Sequence, residues 1–320
     1  MSLEIHFVNV GHGDCTIIKH PSGRITVIDI NNSKALPEEV EADLRAHHGV
    51  GQIEWIAKRE KLSGLSFEDH YKSLLDDPVD FLAETYPGEM PFRYIQTHPD
   101  MDHMGGLSRL LVDLPPQVFW DTSNRKERAE EGFDKGPHDF ADWNAYQEVR
   151  GGTSPQVLNN LRGAWRNYWD EDAIEVLAPT QELLDSANDA EKWNRSSYVL
   201  RVSHAGRSVL LPGDADVNTW ESIDEALDKD DLNSAILKAA HHGRESGYHE
   251  ASVEKIDPDV VICSVGKKPS TDASYLYRRH ADSVFSTRFN GTISVVVGDS
   301  GEVDVYKGAG ELLLSLAALA

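Results

Sequence analysis

The chain has 320 residues, 40% hydrophobic and 27% charged, with a net charge of −23. That length can bury a large core without staples, while a surface this acidic excludes coating a nucleic acid through a broad basic face. Two cysteines, Cys15 and Cys263, make no disulfide framework; with no apolar run near the ~20 residues of a membrane span and no signal-peptide features at Met1 to His6, a soluble cytoplasmic protein is expected.

Ile5, Phe7 and Val10 lead into Gly11-His12-Gly13-Asp14, and Cys15 to Ile18 read as a second strand. Pro21-Ser22-Gly23 marks a turn, and Ile25 to Asp29 is a third strand ending on an acid. Between 36 and 90 the pattern turns helical. Pro37 with Glu38 and Glu39 opens one helix, Ser66 with Asp69 caps a second, and Asp77-Pro78 opens a third that Tyr86-Pro87-Gly88 ends. Arg93 to Thr97 is a short strand that runs into His98-Pro99-Asp100-Met101-Asp102-His103. A second irregular block, 121 to 170, mixes Trp143, Tyr146, Trp165, Tyr168 and Trp169 with many charges, and its aromatics read as a small core. From Ile174 the strand signal returns. A hairpin joins Ser197–Ser203 to Ser208–Pro212 around Ala205-Gly206, and a helix follows near Asn218 to Leu227. Strands at Ile236–Ala240 and Val260–Val265, a helix around Ala273 to Ala281, and a strand pair at Thr292–Val297 and Glu302–Tyr306 complete the series. The tail Glu311 to Leu316 is expected to dock as a helix. The order predicts an α/β (α+β) chain: one domain over 1–320, an αββα sandwich of two mixed sheets flanked by helices, with helical insertions at about 36–90 and 121–170.

Chemistry concentrates after the fourth strand. His98, Asp100, Asp102 and His103 fall within six residues, a spacing that a loop can fold around one small volume. Imidazole with carboxylate suits Zn, Mn or Fe(II), and four such residues can seed two metal sites. Asp214, after Val209-Leu210-Leu211 and Pro212-Gly213, stands where a carboxylate could bridge two cations. His241 and His242 end the strand beginning at Ile236. Of the other histidines, His6, His20, His47, His48, His70, His138, His249 and His280 read as structural or solvated.

At these residues the sequence resembles the metallo-β-lactamase superfamily, whose signature is His-x-His-x-Asp-His followed by a later His, a later Asp and a final His. Asp100 stands at the second His, as in the subgroup resembling the hydrolase domain of ComEC-type competence proteins. Val10-Gly11-His12-Gly13-Asp14, Asn194-Arg195-Ser196-Ser197, Leu211-Pro212-Gly213-Asp214, Ala240-His241-His242-Gly243, Ser264-Val265-Gly266-Lys267 and Thr287-Arg288-Phe289-Asn290-Gly291-Thr292 support it in order. The resemblance implies one or two divalent ions, Zn or Mn. His98 and Asp100 would hold one, Asp102 and His103 the other with His242, and Asp214 would bridge. His241 would face the substrate as a proton donor or phosphate partner. The superfamily's middle His is missing, with Asn194 nearest its place, so the His98/Asp100 ion would be under-coordinated. His12, Asp14 and Asp29 would lie over or behind the site. Lys238, Arg244, Lys267, Lys268 and Arg288 would form a positive rim. The implied activity is a metal-dependent hydrolase, Asp102 and His241 in its catalytic set, whose metals activate a bridging water. The substrate would be a small-molecule or nucleic-acid phosphoester, favouring a phosphodiester and extending to a nuclease. The alternatives are a lactone or carboxylic-ester hydrolase and a non-catalytic scaffold. No membrane partner and no DNA-uptake role are expected; a protein partner or homodimer stays open.

Overall fold

The computed structural model describes residues 1–32, 74–133, 137–265, 269–308 and 310–319, with single positions 42, 44 and 46. Its strands form two sheets. The larger contains β1 (Leu3–Phe7), β2 (Thr16–Lys19), β3 (Ile25–Ile28), β4 (Arg93–Ile95), β5 (Val118–Trp120), β6 (Gln156–Leu158), β13 (Ile293–Val297), β14 (Val303–Lys307) and β15 (Glu311–Leu316). Their spatial order is 15-14-13-1-2-3-4-5-6. The smaller contains β7 (Ile174–Ala178), β8 (Val199–His204), β9 (Arg207–Leu211), β10 (Ile236–Lys238), β11 (Val260–Cys263) and β12 (Ser283–Ser286), in the order 12-11-10-9-8-7. Both sheets are mixed. β3 to β6 run parallel, β9 to β12 run parallel, and hairpins supply the antiparallel strands.

The period of two along each strand sets the layers. Ile18, Ile28, Ile95 and Trp120 of the larger sheet share a central core with Leu200, Val209, Ile236 and Ile262 of the smaller. The alternate residues Ile17, Val27, Tyr94 and Phe119 belong to an outer core with Leu82, Leu107 and Trp143, from the helices Pro78–Thr85, Leu107–Asp113 and Phe140–Gly151. Leu210, Leu237 and Val261 do the same on the other side with Leu183, Trp220 and Val253. Three apolar layers separate two sheets from two helical coats, which is the expected αββα sandwich. Each fully buried aliphatic or aromatic side chain contributes about 1.5–3 kcal/mol to holding those layers together.

Local chemistry starts the first described helix. Asp77 caps it by accepting the N–H groups of Val79 at 3.0 Å and Asp80 at 3.5 Å, and Pro78 sits where its missing N–H costs nothing. The helices expected around Pro37 and Ser66 lie outside the described residues.

Two expectations change. The tail Glu311–Leu316 is a strand, paired antiparallel with β14, Leu314 opposite Val305. A six-residue helix gains little on its own, whereas an extended tail satisfies the open edge of β14. The block 121 to 170 is also more than an insertion. Its β6 pairs with β5, Leu158 opposite Trp120, and extends the larger sheet. Trp143 and Tyr146 fill the outer core, Trp169 the central one, while Trp165 is 61% exposed. A fully buried Arg93–Asp172 ion pair at 2.6 Å ties the block to β4.

Candidate metal centre

The parallel strands of both sheets end on one rim. Asp29 follows β3, Thr97 and His98 follow β4, Asp214 follows β9, and His241-His242 lie beyond β10. Ile28, Ile95 and Trp120 are lateral partners, so the residues just past them share one level. Asp29, His241 and His242 have φ of 54°, 50° and 59°. Left-handed backbone at such residues costs of order 1–3 kcal/mol each and persists where the surroundings impose it. Gly13 lets the β1–β2 loop close in: its φ is 127°, and a Cβ there would lie 2.2 Å from the Asp102 carbonyl oxygen. The Asp14 N–H then donates to that carbonyl at 3.2 Å.

Hydrogen bonds orient the rings. Asp29 accepts the Thr97 N–H at 2.7 Å, the Thr97 hydroxyl at 2.6 Å and His103 Nδ1 at 2.7 Å. Since Thr97 spends its proton on Asp29, its oxygen accepts from His98 Nδ1 at 3.0 Å. Both rings therefore spend Nδ1 on an outer partner and turn Nε2 inward. Gln96, fully buried, donates to the carbonyls of His98 and His103 at 2.9 and 3.0 Å and fixes the loop between them.

What those Nε2 atoms face is carboxylate. His103 Nε2 is 3.3 Å from Asp214 Oδ2, His242 Nε2 is 3.4 Å from both Asp214 and Asp102, and His98 Nε2 is 3.8 Å from Asp214 and 3.5 Å from Asp100. None of these approaches has hydrogen-bond geometry. The three Nε2 atoms and Asp214 Oδ1 are buried without a hydrogen-bond partner. Burial pushes His103 down, but Asp214 and Asp29 override it and hold the ring well above its ordinary pKa. Burial also lowers His242, and Asp214 with Asp14 brings it up to about 9. Asp214 runs the other way: burial raises it, and His242, His103 and His241 hold it well below the usual carboxylate range. The carboxylates thus draw positive charge to the inward faces of His103 and His242, and a divalent cation could stand there in place of ring protons.

Two sets could complete such a site. Donor atoms of Asp14, His103, Asp214 and His242 lie within 4.8 Å of one another. Asp14, however, is already held by the Lys238 ammonium at 2.6 Å and lies 3.5 Å from His242 Nδ1, the back of that ring. Asp102 lies on the Nε2 side of the ring. The set Asp102, His103, Asp214 and His242 therefore leaves Asp14 with Lys238 on the far side of His242, without the hydrogen bond that Asp29 makes to His103.

The rest of the expected set divides. His12 comes in, its Nε2 3.3 Å from Asp102 Oδ2. His241 is 3.6 Å from Asp214 through Nε2, with Arg244 at 3.3 Å on the same nitrogen and Ser246 at 2.7 Å on Nδ1. Arg244 can only donate, so His241 Nε2 is an acceptor here, and burial lowers its pKa; in this arrangement it holds no proton to give from that nitrogen. Asn194 is half-buried in a short 3-10 turn, where its carbonyl accepts the Ser197 N–H; among the described residues its side chain makes no hydrogen bond to the cluster. Arg288 is buried, its guanidinium 5.7 Å from the Phe289 ring, and borders a cavity of about 240 Å³ with Asp272 and Arg278. Lys267 and Lys268 lie outside the described residues. Lys238 is not on a rim: it is buried against Asp14. Lys126, from the second block, escaped sequence reasoning altogether; its ammonium contacts Asp100 Oδ1.

Comparison with known proteins finds distant relatives of competence and recombination type. No family model matches the chain. It is 25% identical over 208 residues to Recombination protein 2 of Haemophilus influenzae, covering 63% of this chain and 22% of the relative. It is also 25% identical over 164 residues to Competence protein ComA of Neisseria gonorrhoeae, covering 48% and 23%. The match thus spans under a quarter of each relative's length. Similar solved structures include Igni18, a metallo hydrolase from Ignicoccus hospitalis (TM-score 0.49, 11% identity, 92% of this chain and 98% of that chain). Another is a diphosphatase from the PhnP family (TM-score 0.41, 8% identity, 92% and 99%). Among the described residues no helix is long and apolar enough to cross a membrane. With its two mixed sheets between helical coats and a histidine–aspartate cluster on their shared rim, the chain is an αββα sandwich, and in sequence it resembles the two competence and recombination proteins.

Proposed function

We propose that the chain is a metal-dependent hydrolase of phosphoesters, phosphodiesters foremost. The observation that carries it is the buried set of unpartnered Nε2 atoms on His98, His103 and His242 facing Asp102 and Asp214. A bound Zn or Mn ion would supply Lewis acidity, lowering the pKa of a water and drawing charge off a phosphoryl oxygen. Asp102, His103, Asp214 and His242 would hold it. Asp29 would keep the His103 ring turned inward, with Asp14 on the far side of His242. Arg244, 3.3 Å from His241 and 3.4 Å from His12, brings donors to the side of the cluster where Asp102 meets solvent, a setting suited to an anionic substrate. One relative is named for recombination and the other for competence, which makes a polynucleotide the first natural substrate to try. The net charge of −23 opposes tight binding of a long polyanion, so contact would be local to the site. Cys15 and Cys263, both buried and free, suit a reducing cytoplasm.

The test is hydrolysis of bis(p-nitrophenyl) phosphate, with linear DNA in parallel, by metal-stripped protein refilled with Mn or Zn. Turnover is expected only with metal, and Asp214→Ala should lower it at least 100-fold. Bound metal without phosphodiester turnover refutes the proposal and turns the search to carboxylic esters.

A further inference from the structure

We propose that Lys126 takes the place of the second metal ion, its ammonium neutralising Asp100 so that the chain holds one divalent cation. The proposal deepens the metal-site reading above and rests on it.

The His98/Asp100 side of the centre is short of donors. His98 Nε2 reaches Asp100 at 3.5 Å and Asp214 at 3.8 Å. Asn194, the residue the sequence offered as a further polar group on this side, makes no hydrogen bond to the cluster among the described residues. Among the described residues, the buried group whose donor atoms come within 4.8 Å of one another is Asp14, His103, Asp214 and His242. His98, Asp100 and Asp102 all fall outside it, but Asp102 lies 3.4 Å from His242 Nε2 whereas Asp100 is met by Lys126. A fixed cation already occupies the approach to Asp100. Lys126 is mostly buried, its ammonium on Asp100 Oδ1 and 5.9 Å from the Trp193 ring centre.

The loop that delivers Lys126 is built rather than draped. Asp121 leaves β5 and receives Arg150 at 2.9 Å as well as the Tyr146 hydroxyl. Asn124 donates to that same hydroxyl at 2.7 Å, and its side-chain oxygen accepts the Lys126 N–H at 3.2 Å. Asn188 accepts the Arg125 N–H at 2.7 Å and donates to the Ser123 carbonyl at 3.2 Å. Asp121, Asn124 and Tyr146 are buried. Every residue from 121 to 126 is thus tied by a hydrogen bond, Thr122 lending its carbonyl and hydroxyl oxygens to Asn124 and Ser123 its carbonyl to Asn188. A positive charge held this firmly repels a divalent ion at the neighbouring position and removes Asp100 as a free ligand.

The test reads metal stoichiometry, not turnover. Metal-free full-length protein is titrated with Mn²⁺ and Zn²⁺ by calorimetry, and bound metal is counted after gel filtration. One ion per wild-type chain is expected. Lys126→Met should acquire a second, bound at least tenfold more tightly than any second ion in wild type. Asp100→Asn provides a control that does not depend on the lysine variant folding: it should keep the first ion with affinity within about threefold, because Asp100 is not its ligand. Two ions of comparable affinity in wild type, an unchanged count in folded Lys126→Met, or loss of the ion in Asp100→Asn overturns the proposal. If no variant binds metal, the metal-site reading itself falls.

Discussion

Asp29→Asn is the sharpest probe of how the centre is held, because its cost can be worked from geometry. The carboxylate accepts three short bonds. Thr97 N–H lands on Oδ1, while the Thr97 hydroxyl and His103 Nδ1 both land on Oδ2. An asparagine can keep its oxygen at the Oδ1 position, which puts an NH₂ where two donors now point. Thr97 can rotate its hydroxyl to accept. His103 cannot adapt without moving its proton to Nε2, and that fills the lone pair the metal needs. One charge-assisted bond to the ring is lost, worth about 1.5–3 kcal/mol. Outer partners of metal-binding histidines are typically worth 10–100-fold in metal affinity, or about 1.4–2.7 kcal/mol, so two separate estimates agree. The assay is competition for Zn²⁺ against a chelator of known affinity, with circular dichroism to verify the fold. A folded variant whose affinity stays within twofold of wild type refutes the tautomer reasoning and removes Asp29 from the centre.

Two further outcomes test the frame around the centre. Lys238→Met leaves the buried Asp14 with the His242 ring 3.5 Å away as its remaining ion-pair partner, which should cost up to about 3–5 kcal/mol in urea unfolding with chelator present. Adding Asp14→Asn should recover most of that loss, and a single-variant change under about 1 kcal/mol would show that the pair is not desolvated. His20 is buried between the Asp172 carbonyl at 3.1 Å and the Thr26 hydroxyl at 2.8 Å, and burial lowers its pKa from 6.5 to about 3. The unfolded chain therefore binds the proton first. The stability His20 protects is complete above about pH 6.5 and falls by about 1.4 kcal/mol per unit as the pH drops towards 3. Between pH 6.5 and 5 wild type should lose about 2 kcal/mol more than His20→Gln, and parallel stability curves would refute a neutral buried His20.

Legibility in the sequence followed the range of the interactions. The loop His98 to His103 carries four donors in six residues, so no tertiary knowledge is needed to see it. The sandwich was readable because alternation in Ile17-Ile18 and Val27-Ile28 announces strands buried on both faces. Lys238 was open to the same logic. It stands two residues after Ile236, which lies in the central core, so period two already turns it inward; its charge misled where its register did not. Leu312-Leu313-Leu314 offers no such handle. A short apolar run suits helix or strand, and the free edge of β14 decides, which is a fact about another part of the chain. Lys126 was hidden for a stronger reason. It lies 26 positions from Asp100, beyond an entire helix and strand, and the hydrogen bonds of Asp121 and Asn124 to the helix Phe140–Gly151, with those of Asn188, bring it back.

That detour recasts what the second block does. Sheet pairing through β6, the buried Arg93–Asp172 bridge and the Tyr146–Asp121–Arg150 network make it part of the frame. Its product at the rim is a lysine. The smaller sheet supplies a second lysine, the buried Lys238 of β10. Each ammonium meets one carboxylate on its own flank of the histidines, Lys126 with Asp100 and Lys238 with Asp14. Asp29 is engaged by Thr97 and His103. Asp102 and Asp214 are left without a lysine, two negative charges beside His103 and His242, and two charges are what one divalent ion neutralises. Charge balance thus favours Asp102, His103, Asp214 and His242 over the set that has Asp14 in place of Asp102.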